Sequence, residues 1–149
     1  MAISHDKVLV VDVDGTLCPV KKSSEDYADL PVHSEMVARL KRYQRDGFRI
    51  IIHSSRNMRS FDGILGEINK HTLPTLIDWL DAAGVPYDEI HIGKPWAGRR
   101  GFYVDDRAIR PDEFLEHDID KLEERVRNAR ERAARVLSKI GKAEAEDEN

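Results

Sequence analysis

The chain has little cysteine, no long apolar run and no strong excess of charge of either sign. Its single cysteine, Cys18, excludes an intramolecular disulfide and a zinc site built from several cysteines. No apolar run approaches the roughly 20 residues that span a bilayer, and the first residues, MAISHDK, lack the basic and apolar parts of a signal peptide. The formal net charge of −4 gives no overall attraction to nucleic acid or to an anionic membrane. These absences predict a cytoplasmic protein without membrane or nucleic-acid partners.

What is present is an alternation of apolar and amphipathic stretches. The apolar stretches predict strands, at 7–13, 48–56, 87–93 and 101–106, and the first of them should be buried on both faces of a sheet. Residues at three- and four-residue steps predict a helix from Ser34 that ends near Gly47, and a second helix over 73–83. The alternation predicts an α/β fold with a Rossmann-like parallel sheet flanked by helices.

Polar side chains follow each predicted strand at the point where the strand ends. In chain order these are Asp12 and Asp14, then Ser54, Ser55 and Arg56, then Lys94, and last Asp105 and Asp106. In parallel sheets the carboxyl ends of the strands meet at one edge, and ligands bind there. We therefore expect these groups to form one site.

Several carboxylates at one sheet edge repel one another unless a cation lies among them. Hard oxygen ligands favour Mg²⁺ over zinc, and Mg²⁺ binds one or two carboxylates together with water and substrate phosphate. One carboxylate can then attack phosphorus, while a second transfers the proton. The alternative is an ordinary acidic turn, since Asp favours turns and helix caps.

The stretch DVDGT at 12–16 resembles the first motif of the haloacid dehalogenase (HAD) superfamily in its phosphatase form, and the other motifs follow in the family's order. The resemblance implies that Asp12 is the nucleophile and a metal ligand. It implies that Asp14 is the general acid/base and a metal ligand through its backbone carbonyl. Ser54 would bind the transferring phosphoryl group, and Lys94 would neutralise it.

The resemblance also assigns the last acidic pair to the Mg²⁺ site. Aligning VDDR with the Gly-Asp form of the family's motif favours Asp106 over Asp105 as the direct ligand. Ser54 stands where many members carry threonine, and its hydroxyl can make the same hydrogen bond. Candidate substrate-binding residues surround these positions: Gly15, Thr16, Ser55, Arg56 and Arg59.

A narrower likeness concerns the substrate. The run from RNMRSFDG through VPYDEIHIGKPW to GFYVDDRAIRPDEF is similar to small HAD proteins known as capsule biosynthesis phosphatases. That similarity implies a sugar phosphate or related small metabolite of polysaccharide biosynthesis. Two alternatives stay open, a non-catalytic binding or assembly module on the HAD fold and a phosphatase of a macromolecular substrate.

The spacing of the motifs leaves no room for a large cap domain. Residues 1–116 are expected to form the HAD-like core, with the loop from Pro19 to Pro31 as a small flap, and 117–149 a long charged C-terminal helix. Apolar residues in that helix recur at three- and four-residue steps: Ile119, Leu122, Val126, Ala129, Ala133, Val136 and Ile140. This spacing is typical of a coiled coil and predicts a homo-oligomer. The alternative is a helix packed on its own domain.

Overall fold

The computed structural model describes residues 6–147 as an α/β protein. The chain divides into two compact units, one ending at Arg99 and the other beginning at Arg100. This boundary lies before the 116/117 boundary expected from the sequence. The reason is that the segment before the long helix makes its ion pairs with that helix, Glu113 with Arg125 and Asp106 with Arg130.

The first unit contains a sheet of three parallel strands in the order β1-β2-β3. The strands are β1 (Val8–Val11), β2 (Arg49–Ser54) and β3 (Glu89–Ile92). Val11 is the register partner of Ile52, and Ser54 is the partner of Ile92. The expected parallel sheet is thus confirmed, and β2 and β3 end side by side.

Three α-helices accompany the sheet: α1 (Ser34–Arg45), α2 (Leu65–His71) and α3 (Leu73–Ala82). The loop between β1 and α1 contains a short 3-10 helix, Tyr27–Asp29. Its end is tied to α3, because Trp79 Nε1 donates a 2.8 Å hydrogen bond to the Leu30 carbonyl. The predicted helices from Ser34 and over 73–83 are confirmed.

One face of the sheet supplies the core of the first unit. Ile50 and Ile52 are fully buried, as are Leu40, Leu76 and Leu80 of the helices. The opposite face of β1 differs, since Val8 and Val10 are 37% and 63% exposed. The expectation that β1 is buried on both faces is therefore wrong. Its side chains alternate between a covered and an open side of the sheet.

The predicted fourth strand at 101–106 is also wrong. This segment forms no strand, and Phe102 and Val104 are 80% and 90% exposed. Residues 93–100, which follow β3, are a shorter connection than the roughly 12 residues that a parallel crossover needs. The apolar residues at 101–106 therefore do not form a strand, because the connection that would bring them to the sheet is too short.

The second unit contains α4 (Pro111–Glu116) and α5 (Ile119–Asp147). The long C-terminal helix predicted from the sequence is therefore confirmed. Leu122 is its buried residue, whereas Val136, Leu137 and Ile140 are exposed. Within residues 6–147, none of the helices combines the length and the apolar character needed to cross a membrane.

Truncation of a core leucine tests the packing of the first unit. Leu80→Ala should lower the free energy of unfolding by about 2–5 kcal/mol, because the lost methyl groups leave a cavity. The matched variant is Leu65→Ala, since Leu65 is 54% exposed; it should change stability by less than about 0.5 kcal/mol. Denaturant unfolding measures both. Equal losses would contradict the assignment of the core.

Candidate active site

The site is built on a tight turn directly after β1. The Thr16 and Leu17 amides both donate to the Val13 carbonyl, at 3.1 and 2.8 Å, and the Gly15 amide donates to the Cys18 carbonyl at 2.8 Å. Gly15 has a φ of +88°, a left-handed conformation that glycine adopts without steric cost. The turn thereby fixes the backbone that carries the two aspartates.

Asp12 is held by a cation and a hydroxyl. Lys94 Nζ lies 3.3 Å from Asp12 Oδ1, and Thr16 Oγ1 donates to Asp12 Oδ2 at 3.2 Å. The Asp12 side chain remains 30% exposed, so a ligand can reach it. The structure therefore joins three residues that the sequence placed in one site.

The backbone before Lys94 explains how the lysine reaches Asp12. The Lys94 amide donates to the Ser54 carbonyl at 3.1 Å, which fixes the end of β3 beside the end of β2. Gly93 has a φ of +80°, and a Cβ there would collide with Leu65. Any other residue would be strained at this left-handed φ, and the Leu65 side chain would have to move.

Asp14 is paired with Arg56 through both of its carboxylate oxygens. Arg56 Nη2 lies 2.8 Å from Asp14 Oδ1, and Arg56 Nε lies 3.2 Å from Oδ2. The guanidinium is stacked on the Tyr27 ring, with Cζ 4.1 Å from the ring centroid. Arg56 was predicted to bind substrate, and the structure gives it Asp14 as its partner. The interaction with Tyr27 was not anticipated, since nothing in the local sequence links the two.

Ser54 is buried, and its Oγ accepts a hydrogen bond from the Arg56 amide at 3.1 Å. The residues directly after Ser54 form turns, and α2 starts only at Leu65. Asn57 takes a left-handed φ of 60°, which asparagine tolerates better than most residues. Its side-chain oxygen accepts from the buried Thr72 hydroxyl at 2.8 Å. The turn conformation keeps the Ser54 hydroxyl and Arg56 close together.

Cys18 lies beside Asp14 but is a poor nucleophile. Burial and the nearby Asp14 charge raise the pKa of its thiol to about 12. The thiol is therefore protonated at neutral pH, and only the thiolate is nucleophilic. Cys18 therefore acts as a small apolar residue.

Asp105, Asp106 and Arg59 form contacts of their own. Asp105 and Asp106 belong to the second unit, where Asp105 accepts from the Arg107 amide and Asp106 pairs with Arg130. In the first unit the Arg59 guanidinium lies 5.8 Å from the centroid of the Trp96 ring. The roles of the acidic pair therefore continue to rest on the sequence.

The oxygen ligands of the first unit fit a hard cation that needs few protein ligands. Among residues 6–147 no group of three or more His, Cys, Asp or Glu side chains could hold a metal ion. Mg²⁺ does not require such a group, because it takes one or two carboxylates and completes its octahedron with water and phosphate oxygens. The Asp12 carboxylate and the Asp14 carbonyl would be suitable ligands.

His53 adjoins the same charges. Burial lowers the pKa of His53 below its usual value of 6.5, and the charges of Lys94 and His91 lower it further, while Asp12 acts in the opposite direction. The imidazole is therefore favoured in its neutral form. It can accept or donate a hydrogen bond but adds no positive charge for a phosphate.

This balance of charges gives opposite shifts for two substitutions. Lys94→Met should raise the pKa of His53, because a repelling cation is removed, and Asp12→Asn should lower it. NMR titration of the imidazole in metal-free protein measures both shifts. Shifts of the same sign in the two variants would contradict this arrangement of charges.

Comparison with known proteins identifies one solved relative. No protein-family model matches the chain, and no curated protein matches it. The crystal structure of a target protein from Vibrio cholerae is 44% identical to it, with a TM-score of 0.78, and the match covers 82% of this chain and 98% of that chain. Sequence identity at this level over nearly the whole of the second protein reflects common descent. The chain therefore belongs to the same family as this Vibrio cholerae protein.

Proposed function

We propose that the protein is an Mg²⁺-dependent phosphomonoester hydrolase of the HAD type that acts through an aspartyl-phosphate. The observation that carries the proposal is the turn after β1. There Asp12 is paired with Lys94, and Asp14, two residues later, is paired with Arg56. Two carboxylates with separate partners fit a nucleophile and an acid/base.

In the first half-reaction, a carboxylate oxygen of Asp12 attacks phosphorus and the bond from phosphorus to the leaving oxygen breaks. Protonated Asp14 gives its proton to that leaving oxygen. The Lys94 ammonium and the Ser54 hydroxyl donate hydrogen bonds to the phosphoryl oxygens. Such fixed donors stabilise the charge that develops in the transition state.

In the second half-reaction, water attacks the phosphorus of the aspartyl-phosphate. Asp14, now ionised, takes a proton from that water, and the bond between phosphorus and Asp12 breaks. Inorganic phosphate leaves, and both aspartates return to their starting state. The Arg56 guanidinium pairs with the ionised form of Asp14 that exists between the two steps.

Mg²⁺ held by Asp12 and by the Asp14 carbonyl would neutralise phosphate charge when bound. Asp12 can approach a phosphate dianion only if its own negative charge is offset. Lys94 supplies part of that offset from this chain's own residues.

A sugar phosphate or related small metabolite of polysaccharide biosynthesis is the proposed substrate, by the likeness to capsule biosynthesis phosphatases. Gly15, Thr16, Ser55 and Arg59 remain candidate substrate-binding residues. A binding or assembly module would have no use for two separately paired aspartates. A macromolecular phosphatase for nucleic acid would need a basic surface, whereas the net charge is −4.

Phosphate release from phosphosugars, nucleotides and phosphopeptides tests the proposal. Wild-type protein should release phosphate with Mg²⁺ and not with EDTA, and a phosphosugar should be the best substrate. Asp12→Asn should lower the rate at least about a thousandfold, because the nucleophile is lost. Asp78→Asn, an exposed aspartate on α3, is the matched control and should keep full activity.

Folded wild-type protein that releases no phosphate from any compound with Mg²⁺ present would overturn the phosphatase. It would favour the binding or assembly module instead.

We further propose that the protein self-associates through α5. The helix has 29 residues, which corresponds to about 44 Å at 1.5 Å per residue. Val136 and Ile140 of the predicted seam are 52% and 51% exposed. Exposed apolar residues at heptad spacing are typical of a helix that pairs with a second copy.

Charge introduced into this seam should dissociate the oligomer. Ile140→Glu should lower the mass measured by light scattering to that of a monomer, because an ionised carboxylate is costly to bury. Ser138→Glu, on the same turn but outside the seam, should leave the mass unchanged. A wild-type protein that is monomeric at tens of micromolar would refute the proposal.

A further inference from the structure

Arg56 is the most deeply buried charged group of the site. Its side chain is 1% exposed, and the partner it meets there is Asp14. The planar guanidinium fork contacts both carboxylate oxygens, and such a pair fixes orientation as well as distance. The carboxylate plane of Asp14 is therefore set by Arg56.

A buried arginine with a purely structural role is expected to have a hydrogen-bond partner for each donor, and within the part of the chain that the structure describes Arg56 does not. Its Nη1 is buried and has no hydrogen-bond partner among residues 6–147. A buried donor without a partner costs free energy. The position of the Arg56 guanidinium is therefore not explained by the hydrogen bonds of Nη1. The pair with Asp14 explains this position, because Nε and Nη2 lie on the same side of the guanidinium and both donate to the carboxylate.

Tyr27 holds the guanidinium from the other side. The Tyr27 ring lies against the Arg56 guanidinium, and Trp79 anchors the end of the same loop through the Leu30 carbonyl. Burial and the Asp14 charge raise the pKa of Tyr27, so its ring stays neutral and keeps its hydroxyl proton. A neutral aromatic face attracts a cation and restricts its movement.

We propose that Arg56 is a positioning residue that aims the Asp14 carboxyl at the leaving oxygen, and that Tyr27 supports it in this role. The inference rests on the proposed function and deepens it. It implies that the site is built for phosphate esters of aliphatic alcohols. Their leaving alkoxides are strong bases that need a proton in the transition state, whereas nitrophenolate leaves without one.

This dependence on the leaving group separates a positioning role from a structural one. The measured quantity is kcat/KM, which reports the steps up to phosphoryl transfer and is independent of the later use of Asp14 as a base. An alkyl phosphate such as glycerol phosphate and p-nitrophenyl phosphate are compared with the same enzyme preparation. Loss of folded protein lowers both rates equally, whereas a misaimed Asp14 lowers the alkyl rate more.

Arg56→Ala should lower kcat/KM for the alkyl phosphate at least about tenfold more than for the aryl phosphate. Arg56→Lys should fall between this variant and wild type, because it keeps the charge but loses the fork. Tyr27→Ala should lower kcat/KM for the alkyl phosphate about threefold more than for the aryl phosphate. Tyr27→Phe should resemble wild type because it keeps the ring. Arg45→Ala, an exposed arginine near the end of α1, is the control.

A double-mutant cycle tests whether Arg56 acts through Asp14. In an Asp14→Asn background, Arg56→Ala should cause no further selective loss on the alkyl phosphate. Additive losses in the cycle, or equal losses on both esters in the Arg56 variants, would overturn the inference while leaving the phosphatase in place. Wild-type protein without turnover of either ester would overturn the proposed function and this inference together.

Discussion

The arrangement depends on neutralising two carboxylates that lie two residues apart on one turn. Asp12 and Asp14 repel each other, and that repulsion is strong where water is partly excluded. Each has its own cation, and each cation comes from a different part of the chain. Lys94 follows β3 and Arg56 follows β2, so both ion pairs form only because all three strands end at the same edge.

The register of the parallel strands therefore determines where the two cations lie. The Lys94 amide bonds the Ser54 carbonyl, so the two segments that carry the cations are joined through the backbone. Gly15 and Gly93 allow the close turns that place the aspartates and the lysine. A side chain at either position would strain this left-handed conformation. Such a change would weaken the placement of the charges without altering the charged residues themselves.

The sequence predicted much of this arrangement because apolar periodicity reports burial directly. The helix from Ser34 was predictable in this way, and the strand at 48–56 from its apolar run. The meeting of Asp12 with Lys94 was predictable because the carboxyl ends of parallel strands meet at one edge. The pairing of Tyr27 with Arg56 was not predictable, since it depends on the course of a loop with no periodicity.

The segment at 101–106 failed for a different reason. It has the composition of a strand, but a strand exists only where a partner edge is reached, and that depends on the connection rather than on composition. The same limit applies to Asp105 and Asp106, whose contacts in the structure lie within the second unit. Sequence pattern identified the acidic pair without determining its neighbours.

The two cations differ in kind, and the difference matches the two tasks proposed for the aspartates. Lysine is a compact charge on a flexible stem, and arginine presents a rigid planar fork. Asp12, as a nucleophile, must share its cation with the incoming phosphoryl group, which suits the compact ammonium of Lys94 at 3.3 Å. Asp14 must keep one orientation while its proton comes and goes, which suits the buried fork of Arg56. Exchanging the two cations would preserve the net charge of the site and would remove the property that each aspartate needs.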